Sequence, residues 1–329
     1  MPLRILCLGA YANGNVGDMY QAEAIARAVQ AVRPDAEIVS VSPSKRQSTY
    51  PARNHAAAPA SGAMDLDFIN GFDVLLVGGG GLLSAPHAPL NNAAWVAGLK
   101  LPVVALALGA AGDTPAQSAD FVRKCQFFSV RDEFSRSMIG DLRADVDIVM
   151  DPILLDPADP LPPSPEGRGI LWVPGKIVPG TMAAYASLMS RLYDASTDLI
   201  VSFNPETDRR SGFEDVFGDD VKYLDTAERF QELAATKRFV VSERYHGCIL
   251  ALNKGIPCVG LALRSPTVTS KITEMYRRLG FAGCISNLAE KTTRQSLRGL
   301  ANSLDLLAVT SRLVEERAVL WAYLDRVLS

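Results

Sequence analysis

The feature that most constrains this chain is a recurring unit: a short apolar run, a glycine-bearing turn, then a helix with one apolar side. Residues 5–9 are continuously apolar, Gly14 and Gly17 follow, and residues 19–32 then place Ala22, Ile25, Ala26 and Val29 on one side of a helix. An unbroken apolar run of this length reads as a strand buried on both faces, and the spacing that follows marks an amphipathic helix. Further strand-like runs lie at residues 37–41, 73–77, 102–108, 126–130 and 146–150. The alternation restarts at 169–173, 199–203, 221–224, 239–241 and 258–262, with helical spacing at 182–193, 227–235, 245–253, 268–279 and within 295–328. Such alternation builds parallel sheets covered by helices. The expected fold class is α/β, with two Rossmann-like parallel-sheet domains facing a cleft.

Residues 151–167 carry six prolines. Proline removes a backbone donor and resists the interiors of helices and strands, so this segment reads as the interdomain linker. The division expected is a first domain over 1–150, a Pro-rich linker over 151–168, and a second domain with C-terminal helices over 169–329. Residues 45–62, polar and rich in Pro, Ser and Ala, read as a long loop. In open parallel sheets, ligands bind beyond the carboxyl ends of the strands. The turns after the apolar runs are therefore where chemistry is sought.

Totals exclude several classes. Lys and Arg number 33 against 36 Asp and Glu, a net charge of -3, which argues against a nucleic-acid partner. Cys7, Cys125, Cys248, Cys258 and Cys284 are odd in number and form no C-x-x-C pair. That pattern favours reduced core thiols and a cytoplasmic setting. The apolar start lacks a basic n-region and is too short for a secretory signal. The longest apolar stretch, 101–111, is broken by Pro102 and Gly109 and falls short of the roughly 20 residues that span a bilayer. No His, Cys and carboxylate cluster has metal-ligand spacing, so no metal is expected.

Four motifs carry candidate chemistry. Gly14-Asn15-Val16-Gly17-Asp18 lies between a strand and its helix. Its glycines allow close approach of backbone to ligand, and the helix start offers N–H groups to an anion; the bland reading is that Asp18 caps its helix. Gly78-Gly79-Gly80-Gly81 ends the third strand, where either a ligand or a neighbouring strand comes close. In Val130-Arg131-Asp132-Glu133-Phe134-Ser135, Arg131 can fork onto a carboxylate or phosphate, or simply pair with Asp132. In Ser242-Glu243-Arg244-Tyr245-His246-Gly247-Cys248, His246 shares a helix start with Arg244, putting an acid–base group beside an anion-binding one. His55 and His87 keep no such company.

Together these blocks, GNVGD, DVLLVGGGGLL, SVRDEFS and VSERYHGCILALNKGIP, resemble the polysaccharide pyruvyltransferase family, in the family's order. The resemblance implies a two-lobed architecture like the glycosyltransferase B fold. It also implies transfer of pyruvyl from phosphoenolpyruvate to sugar hydroxyls of a cell-surface polysaccharide or its precursor. The family's histidine falls on His246 and its anion-binding arginine on Arg131, the catalytic pair. Donor-binding residues expected beside them are Asn15, Gly17, Asp18, Gly79, Gly80, Gly81, Arg244 and Lys271, the last in place of the lysine that often follows the His helix. Phosphoenolpyruvate is a co-substrate and no cofactor is expected. The partner is a saccharide acceptor; were it lipid-linked, the enzyme would visit the inner membrane surface. The sequence departs from the family after Asp18, with Met-Tyr-Gln-Ala-Glu, and after Gly260. The competing readings are a nucleotide-sugar glycosyltransferase of the same architecture, with Glu274 as its ribose-binding acid, and a non-catalytic sugar- or anion-binding relative.

Overall fold

A computed structural model describes residues 2–11, 13–42, 65–84, 89–110, 117–156, 167–176, 182–262, 266–287 and 292–329. The expected loop over 45–62, His55 and His87 lie outside them. The chain divides into two compact units: one comprises Met1–Asn13, Asp18–Pro157 and Glu315–Ser329, the other Gly14–Gly17 and Ala158–Val314.

The first unit is built on a six-stranded sheet ordered β2 (Glu37–Val41), β1 (Arg4–Leu8), β3 (Val74–Gly78), β4 (Val103–Leu108), β5 (Phe127–Val130) and β6 (Asp147–Ile148). Every neighbouring pair is parallel. β4 is buried at all six positions, which is why its sequence shows no alternation of apolar and polar residues. β1 and β3 are adjacent although β2 comes between them in sequence, so the strand order reverses at β1/β3. That reversal is the switch point at which open α/β sheets leave room for a ligand.

The second unit repeats the plan with order β12 (Ile285–Asn287), β11 (Cys258–Ala262), β10 (Phe239–Ser242), β7 (Ile170–Val173), β8 (Leu199–Ser202) and β9 (Lys222–Tyr223). Its order reverses between β7 and β10, which pair in parallel from Phe239↔Ile170 to Ser242↔Val173. At the opposite, N-terminal end of this sheet, Asp198 ties the strands together. It accepts from the Ile170 backbone N–H at 2.9 Å and the Trp172 indole at 3.0 Å, and takes a two-pronged ion pair from Arg294 at 2.5 and 3.0 Å. Burial pushes the Asp198 carboxyl up, but bonds from Arg294, Trp172 and the backbone outweigh it and leave its pKa below the ordinary value of 3.8.

Two boundaries differ from a reading by alternation. The proline segment begins inside the first unit: Pro152–Leu155 forms a 3-10 turn with all four residues buried, capped by Asp151. Proline is tolerated there because the first turn of a helix has no use for its N–H. Asp151 is itself fully buried and accepts from the Gln21 amide at 2.7 Å. The rest of the segment, 157–166, lies outside the described residues. The long C-terminal helix, Leu306–Leu328, ends in the first unit, where Tyr323 donates to Ala105 O at 2.7 Å and Arg317 to Leu154 O at 2.9 Å.

Candidate active site

At the first unit's switch point, the turn after β3 folds over the helix Val16–Val32. Gly79 and Gly80 have φ of +75° and +78°, a left-handed backbone in which only glycine is comfortable. A Cβ on Gly79 would come within 2.5 Å of Gln21 Oε1, while one on Gly80 would meet Asp18 Oδ1 at 3.6 Å. Gly81 continues the turn, half-buried. Asp18 accepts from the Asn13 amide at 2.7 Å. Below the turn, the Tyr11 hydroxyl donates to Gly78 O at 2.7 Å. Burial, aided by Cys7 and Asp18, pushes that phenol up, so it remains a neutral donor. The neighbours of Gly79 and Gly80 are thus the Gln21 and Asp18 side chains of the helix.

Arg131 stands at the end of β5 with its side chain only 4% exposed. Its backbone N–H donates to Leu108 O at 3.2 Å and its Nε to Asp132 Oδ2 at 3.2 Å. The guanidinium lies on Gly109, where any Cβ would be 2.6 Å from Nη2. Gly109 N–H in turn bonds Gly80 O at 2.8 Å. Asp132 also caps the helix Glu133–Ile139, accepting from Ser135 N at 2.6 Å. The Arg131–Asp132 pair that sequence offered as the bland reading therefore exists. It coexists with the placement of Arg131 at a strand's carboxyl end among glycines.

The second unit gathers two motifs that are more than 200 residues apart in sequence. Gly14–Gly17 belongs to this unit. Val16 N–H bonds Phe203 O at 2.9 Å, just past β8, and Asn15 Oδ1 accepts from Gly17 N at 2.9 Å, a side-chain turn of the Asx kind. Gly17 then lies flat on His246: a Cβ there would be 2.2 Å from the His246 Cβ, Cγ and Nδ1. His246 sits in the first turn of the helix Tyr245–Asn253, which follows β10, and is 9% exposed. Tyr245 packs edge-on to the imidazole, ring centroids 5.6 Å apart. The N-cap residue of this helix, Arg244, makes no side-chain cap bond. Gly247 is also required: its Cβ would be 2.5 Å from Ser242 Oγ.

Arg244, like Arg131, is ion-paired within its own unit. Its Nη2 meets Asp208 Oδ1 at 2.5 Å and its Nε donates to Pro174 O at 3.0 Å. Asp208, fully buried, also accepts from the Ser202 hydroxyl at 2.7 Å. Arg244 thus clasps the ends of β7, β8 and β10. Beside it, the buried Glu243 accepts from Gly175 N at 2.9 Å. Sequence reasoning missed Asp208, Glu243 and Gly175 as parts of this switch point. The one available signal was Asn204-Pro205, an N-cap followed by proline at the first helical position, which announces the helix that carries Asp208. Lys271 lies half-buried on the helix Pro266–Arg278. Glu274, on the same helix, pairs with Arg277. Among the described residues no group of three or more His, Cys, Asp or Glu is arranged to hold a metal.

The profile of the polysaccharide pyruvyl transferase family matches residues 15–265. The chain belongs to that family. It is accordingly a transferase of polysaccharide biosynthesis. No curated protein matches the sequence. Among solved structures the chain is similar to the UDP-GlcNAc 2-epimerase of Neisseria meningitidis, bound to UDP-GlcNAc, with TM-score 0.57 and 11% identity over 100% of this chain and 98% of that one. It is likewise similar to a putative UDP-N-acetylglucosamine 2-epimerase of Listeria monocytogenes, with TM-score 0.56 and 11% identity over 95% and 91%. A third, from Methanocaldococcus jannaschii, has TM-score 0.52 and 12% identity over 92% of each chain. At such identities the likeness speaks for fold: two Rossmann-like α/β units of the glycosyltransferase B kind. No described helix is long and apolar enough to cross a membrane.

Proposed function

We propose that the chain transfers the pyruvyl group of phosphoenolpyruvate to two hydroxyls of a sugar, forming a cyclic ketal and releasing inorganic phosphate. The observation that carries this reading is His246 at a helix start, covered by the backbone of Gly17. An imidazole in that place can move a proton near neutral pH, and the N–H groups around it favour an anion.

The chemistry asks for this combination. A proton goes to the methylene carbon of phosphoenolpyruvate, making C2 electrophilic, and the first sugar hydroxyl adds to C2 and gives up its proton. Phosphate then departs with the C2–O electron pair. The second hydroxyl closes the ring and its proton is lost. Of the two hydroxyl protons displaced, one is balanced in the new methyl group and the other on phosphate. His246 is the group assigned to proton movement. Arg131 is assigned to the donor's acidic groups, with Gly79, Gly80, Gly81, Asn15, Gly17 and Asp18 shaping the backbone approach, and Lys271 as a further cation. Arg244, clasped by Asp208, serves the donor indirectly by fixing the turn that presents His246. No metal or cofactor is needed for these steps. The setting proposed is cytoplasmic, at the inner membrane face if the acceptor is lipid-linked.

The test is incubation with phosphoenolpyruvate and a panel of free, nucleotide-linked and lipid-linked saccharides. Glycan-dependent release of inorganic phosphate, with pyruvyl ketal on the glycan, is expected. Release of a nucleoside diphosphate from a nucleotide-sugar, with phosphoenolpyruvate untouched, would instead establish the glycosyltransferase reading.

A further inference from the structure

We infer that Ser129 and Tyr323 are positioning residues for Arg131, because they hold open a one-residue bulge in β4 that seats its guanidinium. The inference rests on the assignment of Arg131 to the donor made above.

β4 and β5 pair Ala105 with Phe128 but Leu108 with Val130. Three steps along β4 thus match two along β5, and β4 carries an extra residue. The excess is taken up at Ala107, the one non-glycine residue with positive φ among those described, at +52°. A bulge that needs this backbone ordinarily recruits glycine, so something must hold alanine there. The Ala107 N–H donates to Ser129 Oγ at 3.0 Å, and the Ser129 hydroxyl donates to Ala105 O at 3.0 Å. The Tyr323 hydroxyl donates to the same Ala105 O at 2.7 Å. Ser129 and Ala107 are fully buried and Tyr323 is 3% exposed. Burial pushes the Tyr323 phenol well up, so it stays a neutral donor across the accessible pH range.

The consequence lies one turn further along. Strand side chains alternate with a period of two, so an inserted residue exchanges the faces beyond it. With the bulge in place, Leu108 O receives the Arg131 N–H, Gly109 N–H reaches Gly80 O, and the bare face of Gly109 meets the guanidinium. Loss of the bulge would shift the register by one and bring a residue with a side chain against Arg131. The bulge is thus what allows a buried arginine to rest on a glycine at the end of the strand.

The experiment is calorimetric titration of phosphoenolpyruvate into the full chain, alongside thermal unfolding. The double variant Ser129→Ala, Tyr323→Phe removes three modest hydrogen bonds; it is expected to fold and, with part of that loss felt at the site, to bind phosphoenolpyruvate about ten-fold more weakly. Adding Ala107→Gly should recover most of that loss, since glycine holds the bulge without the hydroxyls; a merely structural role would not respond so. Were Ser129→Ala to misfold, Tyr323→Phe alone, which keeps the ring, should weaken binding about three-fold. Wild-type affinity in a folded variant, or no recovery by Ala107→Gly, overturns the inference. Arg131→Ala separates this from the donor assignment. If it binds as wild type, that assignment falls and this inference falls with it. If it loses binding while the double variant does not, only the positioning role is rejected.

Discussion

The two switch points solve one problem by opposite means. The first unit shapes its strand ends with backbone: left-handed Gly79 and Gly80, and Gly109 beneath Arg131. The second shapes its own with side chains: Arg244 clasped to Asp208 and Pro174 O, Glu243 on Gly175 N, and Ser242 under Gly247. The arginines show the difference most clearly. Both end a strand, but Arg244 joins three strands through partners distant in sequence, whereas Arg131 pairs with its own neighbour Asp132. The lesson is that an arginine in a motif is not assigned by its position. What it bonds within its own unit decides whether its loss is felt in folding or in binding.

That contrast can be broken by experiment. The largest effect expected is from His246→Ala, which should lower phosphate release by about 10²–10⁴-fold, the range for removing a general acid–base. Its unfolding temperature should stay near that of the parent protein; a comparable loss of stability would make His246 a packing residue. Next is Arg244→Ala, which leaves the fully buried Asp208 without its ion pair. Breaking a buried pair from one side costs about 3 kcal/mol or more, so denaturant titration should show a clear fall in stability. Arg131→Ala should cost less, since Arg131 pairs with its chain neighbour Asp132 whereas Arg244 ties together distant segments through Asp208 and Pro174 O; equal losses would erase the distinction.

The glycines give a finer comparison. Gly17→Ala drives a Cβ to 2.2 Å from the imidazole and should cost about 1–3 kcal/mol as overpacking, with activity falling as His246 is displaced. Gly80→Ala has room, its nearest neighbour being Asp18 Oδ1 at 3.6 Å. Its cost should be roughly 1 kcal/mol, from the left-handed backbone alone. Thermal unfolding together with phosphate release would separate the two; equal activity in both variants would deny Gly17 its special place.

The smallest effect concerns acid stability. The Asp198 carboxyl has a folded pKa below 3.8, so its contribution is present above the unfolded value and is lost as pH falls from there through the folded one. Urea midpoints of the parent should therefore decline through that acid window, and less steeply in Asp198→Asn. Parallel slopes would remove Asp198 from the account.

Much of the fold is legible because its strands are buried on both faces and announce themselves as apolar runs. Val103–Leu108 is one such strand, yet nothing in its letters reveals the bulge at Ala107, which depends on Ser129 and Tyr323 from elsewhere in the chain. His246 and Gly17 are legible as members of two motifs. Their meeting is not, since it is created by a loop anchored on Phe203. The ion pair of Arg244 with the fully buried Asp208 is not legible either, since the two lie 36 residues apart. The C-terminal helix joins the first unit through Tyr323 and Arg317, a return that chain order does not foretell.

The central claim is that the donor is phosphoenolpyruvate, held through Arg131. Calorimetric titration of phosphoenolpyruvate into the full chain and its Arg131→Ala variant tests it most directly. Saturable binding by the parent, abolished or at least ten-fold weaker in a variant that still folds, is the predicted result. No binding by the parent, or the same affinity in both proteins, would contradict it.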